Sequence, residues 1–153
     1  MDNYFNILTQ TRKNFLNVLS GLSIEEVNRI PANFNNNLIW HLGHIIGSQQ
    51  ALCYQLSGNT AKVDMEVFTK YRKGTKPESF IHQSEYTSLQ ELAVSTLQDL
   101  EKDYADKIFS SYTSYPTSYG VELNSIEDAI RFVAVHEGLH LGYIMALKRA
   151  LNS

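Results

Sequence analysis

Apolar residues recur at three- and four-residue spacings along four long stretches of this 153-residue chain, and no strong alternating strand signal interrupts them. The first stretch predicts a helix from about Asn3 to Ser20, with Phe5, Leu8, Phe15, Leu16 and Leu19 on one stripe. Ser23-Ile24-Glu25-Glu26 has the form of a capping box and predicts a short helical turn that Pro31 ends. The amides of Asn35-Asn36-Asn37 suit an N-cap for a second long helix, which continues to about Ser57-Gly58. Ser88-Leu89-Gln90-Glu91 is a further capping box, opening a helix to about Phe109 through Leu89, Leu92, Ala93, Leu97 and Leu100. Ser125 with Asp128 caps the last helix, which runs to about Leu151 with Ile126, Ala129, Ile130, Val133, Ile144 and Leu147 inward. Residues 58–87 read as a long connection carrying the basic tract Lys70-Tyr71-Arg72-Lys73-Gly74-Thr75-Lys76. The expected fold is all-α, a four-helix bundle with a long crossover connection between helices 2 and 3, in one domain over residues 1–153.

The apolar seam of the last helix breaks at 136, 137 and 140, and two imidazoles stand in the missing places. His136 and His140 lie one turn apart on the same helix face, so both can converge on one ion. Hydrogen-bonded core histidines also fit these positions, but two stacked imidazoles must share protons or a metal. A catalytic transition-metal site usually takes three protein ligands and leaves one position for water or substrate. Trp40-His41-Leu42-Gly43-His44 is the obvious supplier of the third. At about 100° per residue, His41 flanks the apolar stripe of the second helix and His44 lies further round, which favours His41 as ligand.

Residues 136–140 also satisfy His-Glu-x-x-His, the pattern in which zinc peptidases use the glutamate as general base. Leu141 to Ser153 contain no His, Asp or Glu to complete such a site downstream, and no strand offers its edge to an extended peptide. Zinc peptidase is therefore the lesser alternative. Glu137 stands as a candidate catalytic base or as a residue orienting a ligand.

A net charge of -3 and a pI near 5.9 give no electrostatic footprint for nucleic acid or anionic membrane, so neither is an expected partner. No apolar stretch approaches the roughly 20 residues of a bilayer span. Cys53 is the lone cysteine, and Met1-Asp2-Asn3-Tyr4 lacks the start of a signal peptide, which makes the cytoplasm the expected address. A chain of this length can bury a core without a structural metal, so a bound ion reads as functional.

In the residues just quoted, the chain resembles the DinB-like family of damage-inducible metal-binding proteins over essentially its whole length. That family pairs Trp-x-x-Gly-His on its second helix with His-x-x-x-His on its last, matched here by Trp40 to His44 and by His136 with His140. The resemblance implies a ligand triad of His44, His136 and His140 holding one divalent transition metal, nickel, zinc or iron, since imidazole suits all three. His41 then becomes a neighbour, with Ser48, Glu137 and Tyr143 also placed around the site. The family often follows its last ligand with Arg-Gly-Gln, whereas Leu141-Gly142-Tyr143 stands here and only the glycine matches.

Relatives in this superfamily include transferases that join low-molecular-weight thiols to electrophiles and a thiol-dependent isomerase. The resemblance thus implies a metal-dependent thiol S-transferase or hydrolase acting on a small molecule, with a non-catalytic metal or small-ligand binding bundle as the alternative. A thiol on the open metal position is deprotonated and a water there has a pKa of about 7, so one site suits both reactions. Lys70, Arg72, Lys73 and Lys76 offer charge for the carboxylates of an anionic thiol cosubstrate, and equally suit a solvated loop. Tyr112, Tyr115 and Tyr119 lead into the last helix and can cover the site mouth or serve in packing. A homodimer is expected through the second helix, because Trp40, Ile46 and Tyr54 lie off its inner stripe. The competing expectation is that the 58–87 connection folds back over them.

Overall fold

The computed structural model describes residues 1–151. The chain is mostly helical: α1 (Asp2–Leu19), α2 (Ile24–Asn28), α3 (Leu38–Cys53), α4 (Met65–Tyr71), α5 (Gln83–Ala105) and α6 (Ile126–Leu151). A 3-10 turn at Gln55–Ser57 and two antiparallel two-residue strands, β1 (Tyr115–Pro116) and β2 (Glu122–Leu123), complete the elements. Around the molecule the long helices touch in the cycle α1, α6, α3, α5 and back to α1. Among the described residues no helix is long and apolar enough to cross a membrane.

Three of the four caps form as their residues dictate. Glu26 N–H donates to Ser23 Oγ at 3.2 Å and Ser23 N–H to the Glu26 carboxylate at 2.7 Å, closing the capping box of α2. Of the three asparagines, Asn37 is the cap of α3, its side chain accepting from Trp40 N–H at 2.8 Å. Ser125 Oγ accepts from Asp128 N–H at 3.1 Å at the start of α6. The fourth does not form. α5 begins five residues before Ser88, whose hydroxyl instead donates to the Ser84 carbonyl at 3.1 Å inside the helix.

The 58–87 segment is likewise more than a connection. Within it α4 crosses α3 and packs on Gly43 and Gly47, where the missing side chains make room for Tyr71 and Val67. Trp40, Ile46 and Tyr54 are 6%, 0% and 0% exposed in a single chain, Trp40 reaching this segment at Thr75 and Tyr54 covered by Asp103 and Phe109 as well as Lys62, so the face expected to pair two copies is already buried. Helix 2 of the sequence reading also stops earlier, at Cys53, and the helix expected to reach Phe109 ends at Ala105.

Two apolar clusters form the core, one around Phe15, Leu42, Ile45, Leu89 and Ile144, the other around Leu8, Cys53, Leu97, Ile130 and Val133. Each long helix contributes to both. The polar residues Arg12, Thr96, His136, Glu137 and His140 occupy the level between them in sequence, and the candidate site is built there.

Candidate metal centre

α6 presents His136 and His140 to α3, which presents His44. Ring centroids lie 4.6 Å apart for His136 and His140, 4.7 Å for His44 and His140, and 5.2 Å for His44 and His136. One ligand nitrogen from each of the three comes within 4.8 Å of the others, so the three can hold a metal ion.

The partners of these rings say where their protons sit. His44 Nδ1 is 2.6 Å from the carbonyl oxygen of Tyr71. A carbonyl only accepts, so Nδ1 carries the proton and Nε2 keeps its lone pair. Ser48 Oγ stands 3.4 Å from that Nε2. His41 and His140 face each other through their Nδ1 atoms at 2.8 Å, which requires one ring to donate to the other. For His140 to offer Nε2 to an ion, its proton must lie on Nδ1 and be donated to His41. Among the described residues, His41 Nε2 and His136 Nδ1 are buried without a protein partner. A lone pair fixed by a backbone carbonyl, an orphaned nitrogen on His136 and an all-imidazole donor set fit a divalent transition metal.

Burial holds the rings neutral, the form a metal needs. It pushes His41 and His136 down to about 4 and His140 to about 2, with charge repulsion among the rings adding to the effect. His44 is lowered by burial too, partly offset by the Tyr71 carbonyl.

The outer wall comes from α4. Tyr71 gives its carbonyl to His44 and its hydroxyl to Glu85 at 2.8 Å, and its ring lies where a Gly43 side chain would be. Trp40 stacks on His44 at 4.6 Å and 11°, while its indole N–H donates to Thr75 Oγ1 at 2.9 Å. The end of α4 and the turn after it therefore brace α3 at Trp40, Gly43 and His44 together. Nothing in the sequence reading assigned Tyr71 this role; a large aromatic beside a basic tract gives no periodic signal.

A cavity of about 290 Å³ opens on His44 and His136. Ser48 and Tyr115 line it, with Phe68 and Phe132 as apolar walls and Arg72 and Lys73 as its cations. Tyr112 does not join them, since its hydroxyl donates to the Leu52 carbonyl at 3.0 Å, and Tyr119 is exposed with its ring 6.2 Å from Phe132. Tyr143 packs its ring 4.9 Å from His41, outside the triad.

Glu137 is elsewhere. Although adjacent to His136 in sequence, it is fully buried, and both its oxygens accept from Arg12 at 2.7 to 3.1 Å. Arg12, itself 2% exposed, also donates to Ala93 O and Thr96 Oγ1, each at 2.9 Å. Burial raises the Glu137 carboxyl while the guanidinium opposes that rise. The glutamate of the His-Glu-x-x-His pattern thus ties α6 to α1 and α5, and the candidate base does not face the three rings.

Fold and site together define a helical protein with three imidazoles converging between two helices, beside a cavity of small-molecule size. The model of the DinB superfamily matches residues 7–144, and the chain belongs to that superfamily. A comparison with curated proteins finds no match. A crystal structure described as the conserved protein of locus from Enterococcus faecalis is similar over 98% of this chain and 95% of that one, with a TM-score of 0.67 and 15% identity. That likeness is one of fold.

Proposed function

We propose that His44, His136 and His140 hold one divalent transition metal, nickel, zinc or iron, in a single four-helix-bundle domain. On this reading the protein is a metal-dependent enzyme acting on a small molecule by thiol transfer or hydrolysis. The observation that carries it is the convergence of three neutral imidazoles within 4.8 Å beside a cavity. When bound, the metal supplies acidity to a small nucleophile, thiol or water, at neutral pH. The chain's own residues do the rest. The Tyr71 carbonyl fixes the orientation of His44, His41 fixes that of His140, and Phe68 and Phe132 give the cavity apolar walls.

A non-catalytic metal or small-ligand binder is the alternative, and one observation favours it: no Asp or Glu lines the cavity to serve as a base. Peptidase chemistry has little support, because Arg12 holds the glutamate it would use. Family resemblance supports a homodimer, which we keep as a proposal on that ground alone, and the lone cysteine supports a cytoplasmic address. Turnover of thiols with electrophiles, and of small esters, separates enzyme from binder. Activity lost on chelation and restored by metal is expected; a metal-replete protein inert in both assays would make it a binder.

A further inference from the structure

The basic tract holds four cations within seven residues, and the fold treats them differently. Lys70 is engaged, 2.9 Å from both Glu66 and Glu85. Lys76 lines a separate cavity beside Asn37 and Trp40. Arg72 and Lys73 alone line the cavity that opens on His44 and His136, and among the described residues neither has a carboxylate partner. In a chain of net charge -3, a guanidinium and an ammonium left unpaired on a pocket without acidic lining form a local reversal of field.

Their backbone is held relative to the histidines. Arg72 follows Tyr71, whose carbonyl holds His44. The turn beyond it is closed by Thr75, whose N–H donates to Arg72 O at 3.1 Å and whose Oγ1 lies 2.8 Å from both Lys70 O and Arg72 O. Trp40 anchors the same Thr75 hydroxyl, and Gly74, at φ 88°, allows the reversal. The two exposed cations therefore spring from a braced stretch of backbone that directly follows the residue bonded to a candidate ligand, which sets where their side chains start relative to the histidines.

We propose that Arg72 and Lys73 form an anion subsite, so that the substrate is a small molecule with a carboxylate or phosphate at one end, a reactive group at the metal end, and an apolar middle against Phe68 and Phe132. This rests on the reading of the three histidines as a metal site. A guanidinium accepts either anion through paired N–H donors, and the lysine adds a point charge.

Cobalt-loaded protein titrated with three metal-binding probes tests it through the cobalt absorption spectrum. The probes are the monohydroxamate of succinic acid, its neutral amide counterpart, and the corresponding phosphonate. At least one acid should bind tighter than the amide by roughly tenfold, the scale of a charge-assisted hydrogen bond. R72Q/K73Q should erase that preference while leaving cobalt stoichiometry and amide affinity unchanged, and K76Q should retain it. Tighter binding of the phosphonate would assign a phosphate substrate, and of the succinate probe a carboxylate. Equal affinity for acid and amide in the wild type, or a preference surviving in R72Q/K73Q, would overturn the subsite. Failure to load cobalt would instead count against the metal. In that case, amide resonances of Arg72 and Lys73 in the metal-free protein should still shift with the acids and not with the amide, and their silence would sink the subsite as well.

Discussion

Gly43 shows how closely a single position is tied to the candidate metal. A methyl group there would overlap the Tyr71 ring, and Tyr71 carries the carbonyl that orients His44. Gly43→Ala should destabilise the protein by about 1–3 kcal/mol, as overpacking does, and should weaken metal binding by displacing that carbonyl. Denaturant unfolding and a metal titration of the same variant read both effects; lowered stability with unchanged metal affinity would show that Tyr71 does not set His44. His41 illustrates what the helical wheel could and could not reveal. It turns inward, as its flanking of the apolar stripe implies, yet it reaches the triad through His140 at 2.8 Å. Periodicity places a residue on a face and cannot tell a ligand from the ligand's support. His41→Ala should keep one metal per chain with affinity reduced roughly 10–100-fold, the usual cost of removing a group that orients a ligand. Complete loss of metal would make His41 a ligand.

At the scale of the helix, the gap in the α6 seam was legible and its meaning was half legible. Positions 136 and 140 share a face, whereas 137 is rotated about 100° from 136, so it looks toward different neighbours. The gap thus holds two polar clusters, histidines toward α3 and a buried ion pair toward α1 and α5. Arg12, on the most distant helix in sequence, gave no local sign of this. Glu137→Ala should cost about 3–5 kcal/mol, the penalty for stranding a buried charge, while metal content stays at wild-type level. R12M/E137L should recover much of that stability. A Glu137→Ala protein as stable as wild type but without metal would return the glutamate to the site. α4 escaped the sequence reading for a different reason. Its seven residues are too short for a periodic stripe, and its tertiary contacts with Gly43 and Gly47 hold it in place. Ser88 misled because a Ser-x-x-Glu spacing also occurs within helices, where the hydroxyl bonds a preceding carbonyl.

In the molecule as a whole, the site lies between two apolar clusters that do not require an ion to form. Chelated protein should therefore keep its helical circular dichroism, and a collapse of that signal would make the metal structural. Its stability should nevertheless depend on pH. The imidazoles titrate lower in the folded chain than the usual value of 6.5, so the unfolded chain binds more protons as pH falls. Stability of the metal-free protein should decline from about pH 6.5 toward pH 4, read as the denaturation midpoint across that range, and a flat profile would mean the rings are not buried neutral. Metal analysis of protein purified without an affinity tag, alongside His44→Ala, His136→Ala and His140→Ala, bears most directly on the site. One divalent transition metal per chain in the wild type and none in the three variants is the expected result; a metal-free wild type, or a metal-replete His44→Ala protein, would contradict it.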